Sequence, residues 1–264
     1  MNVSIRLFLA ALAVVFVLAG AVAPVRGEGA SACILRFAWT EFPPYQTLGA
    51  DGKPSGIDVD LVNEIGRRMP CAIQWELAPR PRAVLLVQEG KVDAVVGVAR
   101  TAERDTFGIY SPPVREGRNV LIVRKGATSR FAYDSLTALA GSAFRLGVVS
   151  GSRYSQEFED LTRSGALADN VIPVQNGESA MAMLMRDRID GFLDGHRTAL
   201  SRAAQLGLAD EIEVHPMFVS EHKAYVLFSR AAAVDPALIT QFNAVLLGMQ
   251  ADGTLARIMT SYGS

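Results

Sequence analysis

"GIDVDLVNEIGRRM" occupies positions 56–69, and its spacing predicts an amphipathic helix. Ile57, Leu61, Ile65 and Met69 recur at helical intervals, so one apolar stripe runs down one face. Asp58 and Asp60 fall in the first turn, where carboxylates oppose the positive end of the helix dipole. On either side stand strand-like runs, "ILRFAW" (34–39) and "AIQWEL" (72–77), the first separated from the helix by the turn-rich "TEFPPYQTLGADGKPSG". Strand, helix and strand in that order predict parallel pairing with the helix laid across the sheet.

The alternation continues outward. Helix "RAVLLVQEG", strand "VDAVVGV" and the apolar run "NVLIVRKG" (119–126) complete one set. A second follows: strand "FRLGVV", a helix over about 152–165, strand "NVIPV", helix "SAMAMLMRD", strand "IDGFL", helix "RTALSRAAQLG" and strand "EIEVHP". "HKAYVLFSR" reads as a late strand, and two helices punctuated by Asp252-Gly253 close the chain. Two α/β sets with no linker rich in Gly, Pro or Ser between them predict two lobes of one body, each a parallel-rich sheet flanked by helices.

The N-terminus stands apart. Arg6 precedes "LFLAALAVVFVLAGAVA", an apolar run that ends in the small-x-small pattern Ala21-Val22-Ala23. Charged start, apolar middle and small-residue end describe a secretory signal peptide, read as 1–27 with cleavage between 23 and 32. An uncleaved anchor is the alternative, although the run is short against the roughly 20 residues a membrane span needs. Residues 1–27 carry two arginines and no acid, so their removal takes the formal charge from −1 to −3. That balance argues against nucleic acid as a partner, since phosphate contacts need clustered Lys and Arg. Cys33 and Cys71 are the two cysteines, each directly ahead of a strand. An even count in an exported chain favours a disulfide between them, two free thiols being the alternative.

Five segments together resemble the family 3 periplasmic solute-binding proteins of polar amino acid uptake. They are 56–69, "EGKVDAVVGV" (89–98), "RTAERDTFGIYSPP" (100–113), "RDRIDGFLDG" (186–195) and "MQADGTLARIMTSYG" (249–263). The resemblance implies a type II clamshell with the ligand between two lobes. Lobe 1 would be discontinuous, 33–123 with 217–264, and lobe 2 would be 127–213, joined through "RKGATS" and "VHPMF". It implies a monomer without cofactor or metal, which captures a small zwitterionic or anionic ligand in the periplasm and delivers it to an inner-membrane ABC permease. A membrane receptor would be the partner in a sensory variant.

The resemblance also implies a site. Arg104 matches the arginine that grips a ligand's α-carboxylate, a task suited to a permanently charged planar fork. Asp194 matches the acid that accepts from the α-ammonium. Phe42 and Tyr45 lie on the loop after the first strand, where parallel sheets open their crevices, and Tyr45 is expected to face the cleft. Gly97 and Ala99 lie on the same approach, Ala99 standing where a hydroxyl residue is common. Ser152 belongs to a Gly-Ser helix start that offers N–H groups to an anion, and Arg153 replaces a small residue there. Arg80 and Arg82 stand where the family often has an aromatic. Several arginines in one cavity would predict a ligand richer in carboxylates than a neutral amino acid. Against these roles, Arg104 would pair on the surface with Glu103 or Asp105, and Asp194 would cap the helix after it. His196, His215 and His222 lack metal-ligand spacing, and the chain is read as a binder, not an enzyme. The competing enzymatic reading rests on cyclohexadienyl dehydratases, which resemble these proteins, with Glu221 as general acid.

Overall fold

The computed structural model describes residues 33–262; the N-terminal apolar segment and its cleavage positions lie outside the described residues. The first half of the chain runs β1 (Ile34–Trp39), β2 (Thr47–Leu48), β3 (Pro54–Ser55), α1 (Ile57–Arg68), β4 (Ala72–Leu77), α2 (Arg80–Gln88), β5 (Ala94–Val98), α3 (Ala102–Asp105), β6 (Gly108–Tyr110) and β7 (Arg115–Arg124). The second runs β8 (Leu146–Val149), α4 (Gln156–Ser164), β9 (Val171–Val174), α5 (Gly177–Met185), β10 (Gly191–Gly195), α6 (His196–Gln205), β11 (Ile212–Val214), β12 (Ser220–Ser229), α7 (Pro236–Ala251) and α8 (Thr254–Ser261). The main sheet has the order β4-β1-β5-β12-β7-β10-β8-β9. This is the mixed α/β architecture that the alternation predicts. Among the described residues no helix is long and apolar enough to cross a membrane.

The helix at 57–68 buries Ile57, Leu61 and Ile65, as its spacing requires, and Met69 is buried just past its end. Gly56 precedes it at φ 111°, and a Cβ there would sit 2.6 Å from the Tyr45 carbonyl oxygen, so the turn into the helix needs glycine. β1 pairs in parallel with β4 from Ile34↔Ala72 and with β5 on its other side. The first pairing brings the residues ahead of both strands together. Cys33 and Cys71 form a disulfide, their Cα atoms 4.6 Å apart.

β7 and β12 are long, and they cross between the two groups of strands. They pair antiparallel from Arg115↔Ala224 to Asn119↔Ser220. Beyond that ladder β7 joins β10 and β11, while β12 joins β5 and β6. Apolar packing divides at the same place. Leu35, Phe37, Val114, Ala224, Val226 and Phe242 share one core, and Leu121, Val123, Leu146, Leu193, Met217 and Val219 share another. The crossing therefore differs from the expected polar linkers at 124–129 and 214–218. Val120–Val123, Met217 and Val219, assigned from sequence to lobe 1, pack in the second group. His215, within the expected linker, is buried and its Nε2 lies 2.6 Å from the Phe131 carbonyl oxygen. An extended antiparallel pair satisfies its own backbone groups while it crosses, which a loop does not.

Candidate functional site

A cavity of about 550 Å³ lies where the two groups of strands face each other. One wall carries Phe42, Tyr45, Arg80, Gly97 and Ala99; the facing wall carries Val149, Ser152, Arg153, Asp194 and Thr198. Its floor is the β7/β12 ladder, with Arg115, Arg118 and Asn119 on one strand and Ser220 to Ala224 on the other.

The first wall is built around a buried ion pair. Asp58, from the first turn of α1, accepts from Arg115 Nε at 2.8 Å and Nη2 at 3.2 Å, and both side chains are almost fully buried. Gln46 donates to the same carboxylate at 3.1 Å and accepts from the Thr40 backbone N–H, which fixes the loop after β1. Tyr45 lies under the Arg115 guanidinium, 3.6 Å from its ring centroid. Burial works against the Arg115 charge, but attraction to Asp58 outweighs it and the pKa is raised. Gly97 has φ 78°, and a Cβ there would stand 2.5 Å from the Asp58 carboxylate. The glycine therefore makes room for the ion pair. Phe42 stacks on Tyr45 at 5.6 Å and is the more exposed of the two, and both line the cavity.

Arg80 lies over the Phe42 ring, 4.4 Å from its centroid. Desolvation lowers its pKa, and Arg115 adds to that. The side chain is nevertheless open to solvent through the cleft, which moderates the effect and keeps the charge. No carboxylate pairs with it among the described residues. Arg118 has one polar contact, to His196 Nε2 at 3.3 Å. The other cations on the cavity are matched: Arg115 by Asp58, Arg153 by Glu159 at 3.3 Å, and Lys223 by Glu116 at 3.5 Å. On the facing wall Asp194 pairs with Arg202 of α6 and accepts from the Gly195 N–H at 2.7 Å. Burial raises its pKa even with Arg202 beside it.

Two of the arginines expected in the cleft do not line this cavity. Arg104 turns back and donates from Nη1 to the Ala99 carbonyl at 2.8 Å, while its neighbour Asp105 pairs with Arg100. Arg82 is exposed, 3.9 Å from Glu89, because α2 begins at Arg80 and turns position 82 away. Arg153 reaches the rim but is spent on Glu159. The helix expected from 152 starts at Gln156 with Ser155 as cap, so Ser152 sits on a loop and its N–H donates to the Val149 carbonyl at 3.0 Å. Asp194 does not cap α6, whose N-cap residue is Gly195.

The sequence reading passed over Arg115, Arg118 and Arg202. Position 115 stands in a polar run, "REGRN", that looks like a solvated strand end. The signals for Arg202 were Asp194 just ahead of its own helix and a glycine at 177 to receive it.

A cavity between two α/β groups, floored by the strands that cross between them, is the layout of a binding protein that closes on small solutes. The chain belongs to the bacterial extracellular solute-binding proteins, family 3, whose family model matches residues 35–264. It is 25% identical over 260 residues, 96% of each chain, to the ABC transporter arginine-binding protein 1 of Escherichia coli (strain K12). It is 23% identical over 229 residues, 84% of each chain, to the lysine/arginine/ornithine-binding periplasmic protein of that organism. Among solved structures, an ancestral arginine-binding protein bound to glutamine superposes with a TM-score of 0.64 at 25% identity, covering 87% of this chain and 97% of the other. A histidine kinase sensor domain shares the fold, with a TM-score of 0.67 at 16% identity over 89% of this chain and 96% of that one.

Proposed function

We propose that the protein captures a small carboxylate-bearing solute, an amino acid or a related acid, in this cavity outside the inner membrane and delivers it to an ABC permease. The observation that carries the reading is the pair Arg80 and Arg118, two cations that line the cavity with no carboxylate partner among the described residues. The names of the relatives support the amino acid class, and the apolar N-terminal segment supports export. Two lobes, divided at the β7/β12 ladder, would close on the ligand, which stabilises the closed form by touching both. Arg80 and Arg118 would hold carboxylates, the Phe42–Tyr45 stack would wall the apolar part, and Asp194 would face from the second lobe.

The test is a thermal-shift panel of L-amino acids and dicarboxylates on the purified protein, since a ligand that binds only the native form raises the melting temperature. A panel that leaves the melting temperature unmoved removes this reading. An enzymatic reading keeps one observation in its favour: Glu221 lines the cavity with no partner among the described residues. Loss of prephenate on incubation with the protein would establish it.

A further inference from the structure

We infer that the cavity selects a dicarboxylate that lacks a free amine, and that Arg202 sets this preference. The inference rests on the carboxylate-binding reading above and narrows it to one ligand class.

Asp194 is the group on the second wall that would receive a ligand's ammonium, and the protein has already given it a cation. Its Oδ2 accepts from Arg202 Nη1 and its Oδ1 from the Gly195 N–H. Asp194 lies near the end of β10 and Arg202 in the second turn of α6, so the side chain reaches back toward the start of the helix. Its guanidinium lies against Gly177, the first residue of α5, and any Cβ at 177 would overlap it. The side chain is 22% exposed. Arg202 is thus a packed internal counterion, seated where its neighbour has no side chain.

A zwitterion approaching this wall brings its ammonium to a carboxylate whose charge is neutralised, with a guanidinium beside it. Attraction and repulsion nearly cancel, while the ammonium still loses its water. A ligand without the amine leaves the Asp194–Arg202 pair intact. Elsewhere the cavity has charge to spare. Among the described residues Arg80 and Arg118 have no ion-pair partner, and Glu221, a cavity anion also without one, stands opposite Arg118 in the β7/β12 register. Two carboxylates answer two guanidiniums, and planar forks suit them.

Glutarate and L-glutamate differ by the ammonium alone, so the pair isolates the question. Isothermal titration of the purified protein at pH 7 is expected to give glutarate the tighter binding by about tenfold or more, the scale of a mismatched buried charge. Arg202→Gln removes the counterion. Gly177→Ala displaces the same guanidinium by contact and improves helix propensity at 177, so it serves if the first variant folds poorly. In either, the glutarate preference should fall by about tenfold or reverse, because the Asp194 carboxylate is released from Arg202 and can pair with the ligand's ammonium instead. Equal or tighter binding of L-glutamate by the native protein overturns the inference, as does a preference unchanged in both variants. If amino acids bind and glutarate does not, this inference fails and the carboxylate reading survives; if neither class binds, both fail.

Discussion

Asp58→Asn is the substitution that most directly probes the construction of the cavity wall. It keeps the shape of a side chain that is 0% exposed and removes its charge, leaving an Arg115 side chain that is 3% exposed without its partner. Removing one member of a buried pair costs about 3–5 kcal/mol, because the remaining charge keeps its desolvation penalty. The asparagine oxygen still accepts one bond, and the Tyr45 ring at 3.6 Å still faces the guanidinium, which argues for the lower end, about 3 kcal/mol. At about 2–4 °C per kcal/mol for a domain of this size, the melting temperature falls by about 6–12 °C. Urea unfolding at pH 7, with the slope checked for constancy, measures the loss directly. Arg115→Met tests the other partner, and the double variant should lose less than the two single losses combined. A loss below about 1 kcal/mol for Asp58→Asn, or strict additivity in the cycle, would refute the reasoning.

Other consequences follow from single contacts. Cys33→Ser opens a bridge across a sequence separation of 38, worth roughly 4 kcal/mol in the chain-entropy model, and reductant should shift the native urea midpoint to the same degree and leave the variant unmoved. Glu64 is held at about 2 by hydrogen bonds from Arg67 and then Arg68, below its usual 4.5. A carboxylate depressed in the folded state stabilises above its unfolded pKa and loses that contribution as pH falls to its folded one. The midpoint gap between native protein and Glu64→Gln should therefore be steady at neutral pH, shrink below 4.5 and vanish near 2. The gap is small, because Arg67 is largely exposed. Arg104→Ala should leave ligand affinity within about threefold, whereas Arg80→Ala should lower it by tenfold or more, since only Arg80 faces the cavity; equal losses would restore Arg104 to the site.

What the sequence made legible follows from range. The helix at 57–68 was readable because Ile57, Leu61 and Ile65 obey a local period, and burial follows from that period alone. Strand pairing near the cysteines was readable because both strands begin directly after a cysteine. The cavity charges were not readable in the same way. Arg115 and Asp58 are 57 residues apart, and nothing near either marks it as buried. Asp58 looked like a dipole partner for its own helix, a reading that a local pattern favours and tertiary contact overrides. Arg104 shows the opposite error. Its place in a recognised block implied its role, yet the side chain donates to the Ala99 carbonyl five residues before it. Spacing fixes where a residue stands on an element and leaves open which of two neighbours its long side chain chooses.

The ion pair also bears on how the two groups of strands are held. Arg115 begins β7 and is pinned by Asp58 to the first group. Four residues on, Asn119 donates to the Tyr154 carbonyl at 2.7 Å and to Ser220 Oγ at 3.1 Å, which ties that point to the second group. The stretch between these two ties is 116–118 on β7 and the facing 221–223 on β12, and none of its residues is buried. Arg118, Glu221, His222 and Lys223 of that stretch all line the cavity, from alternating faces of the ladder. In the proposed reading a solute seated on Arg118 would rest between these two ties, with Arg80 on the first group and the Asp194–Arg202 pair on the second. Contacts that change as the ladder bends are the ones that give a solute different affinities for open and closed forms. Loosening Arg115 by removing the Asp58 charge would free the near end of that segment, so the same substitution should weaken binding as well as the fold.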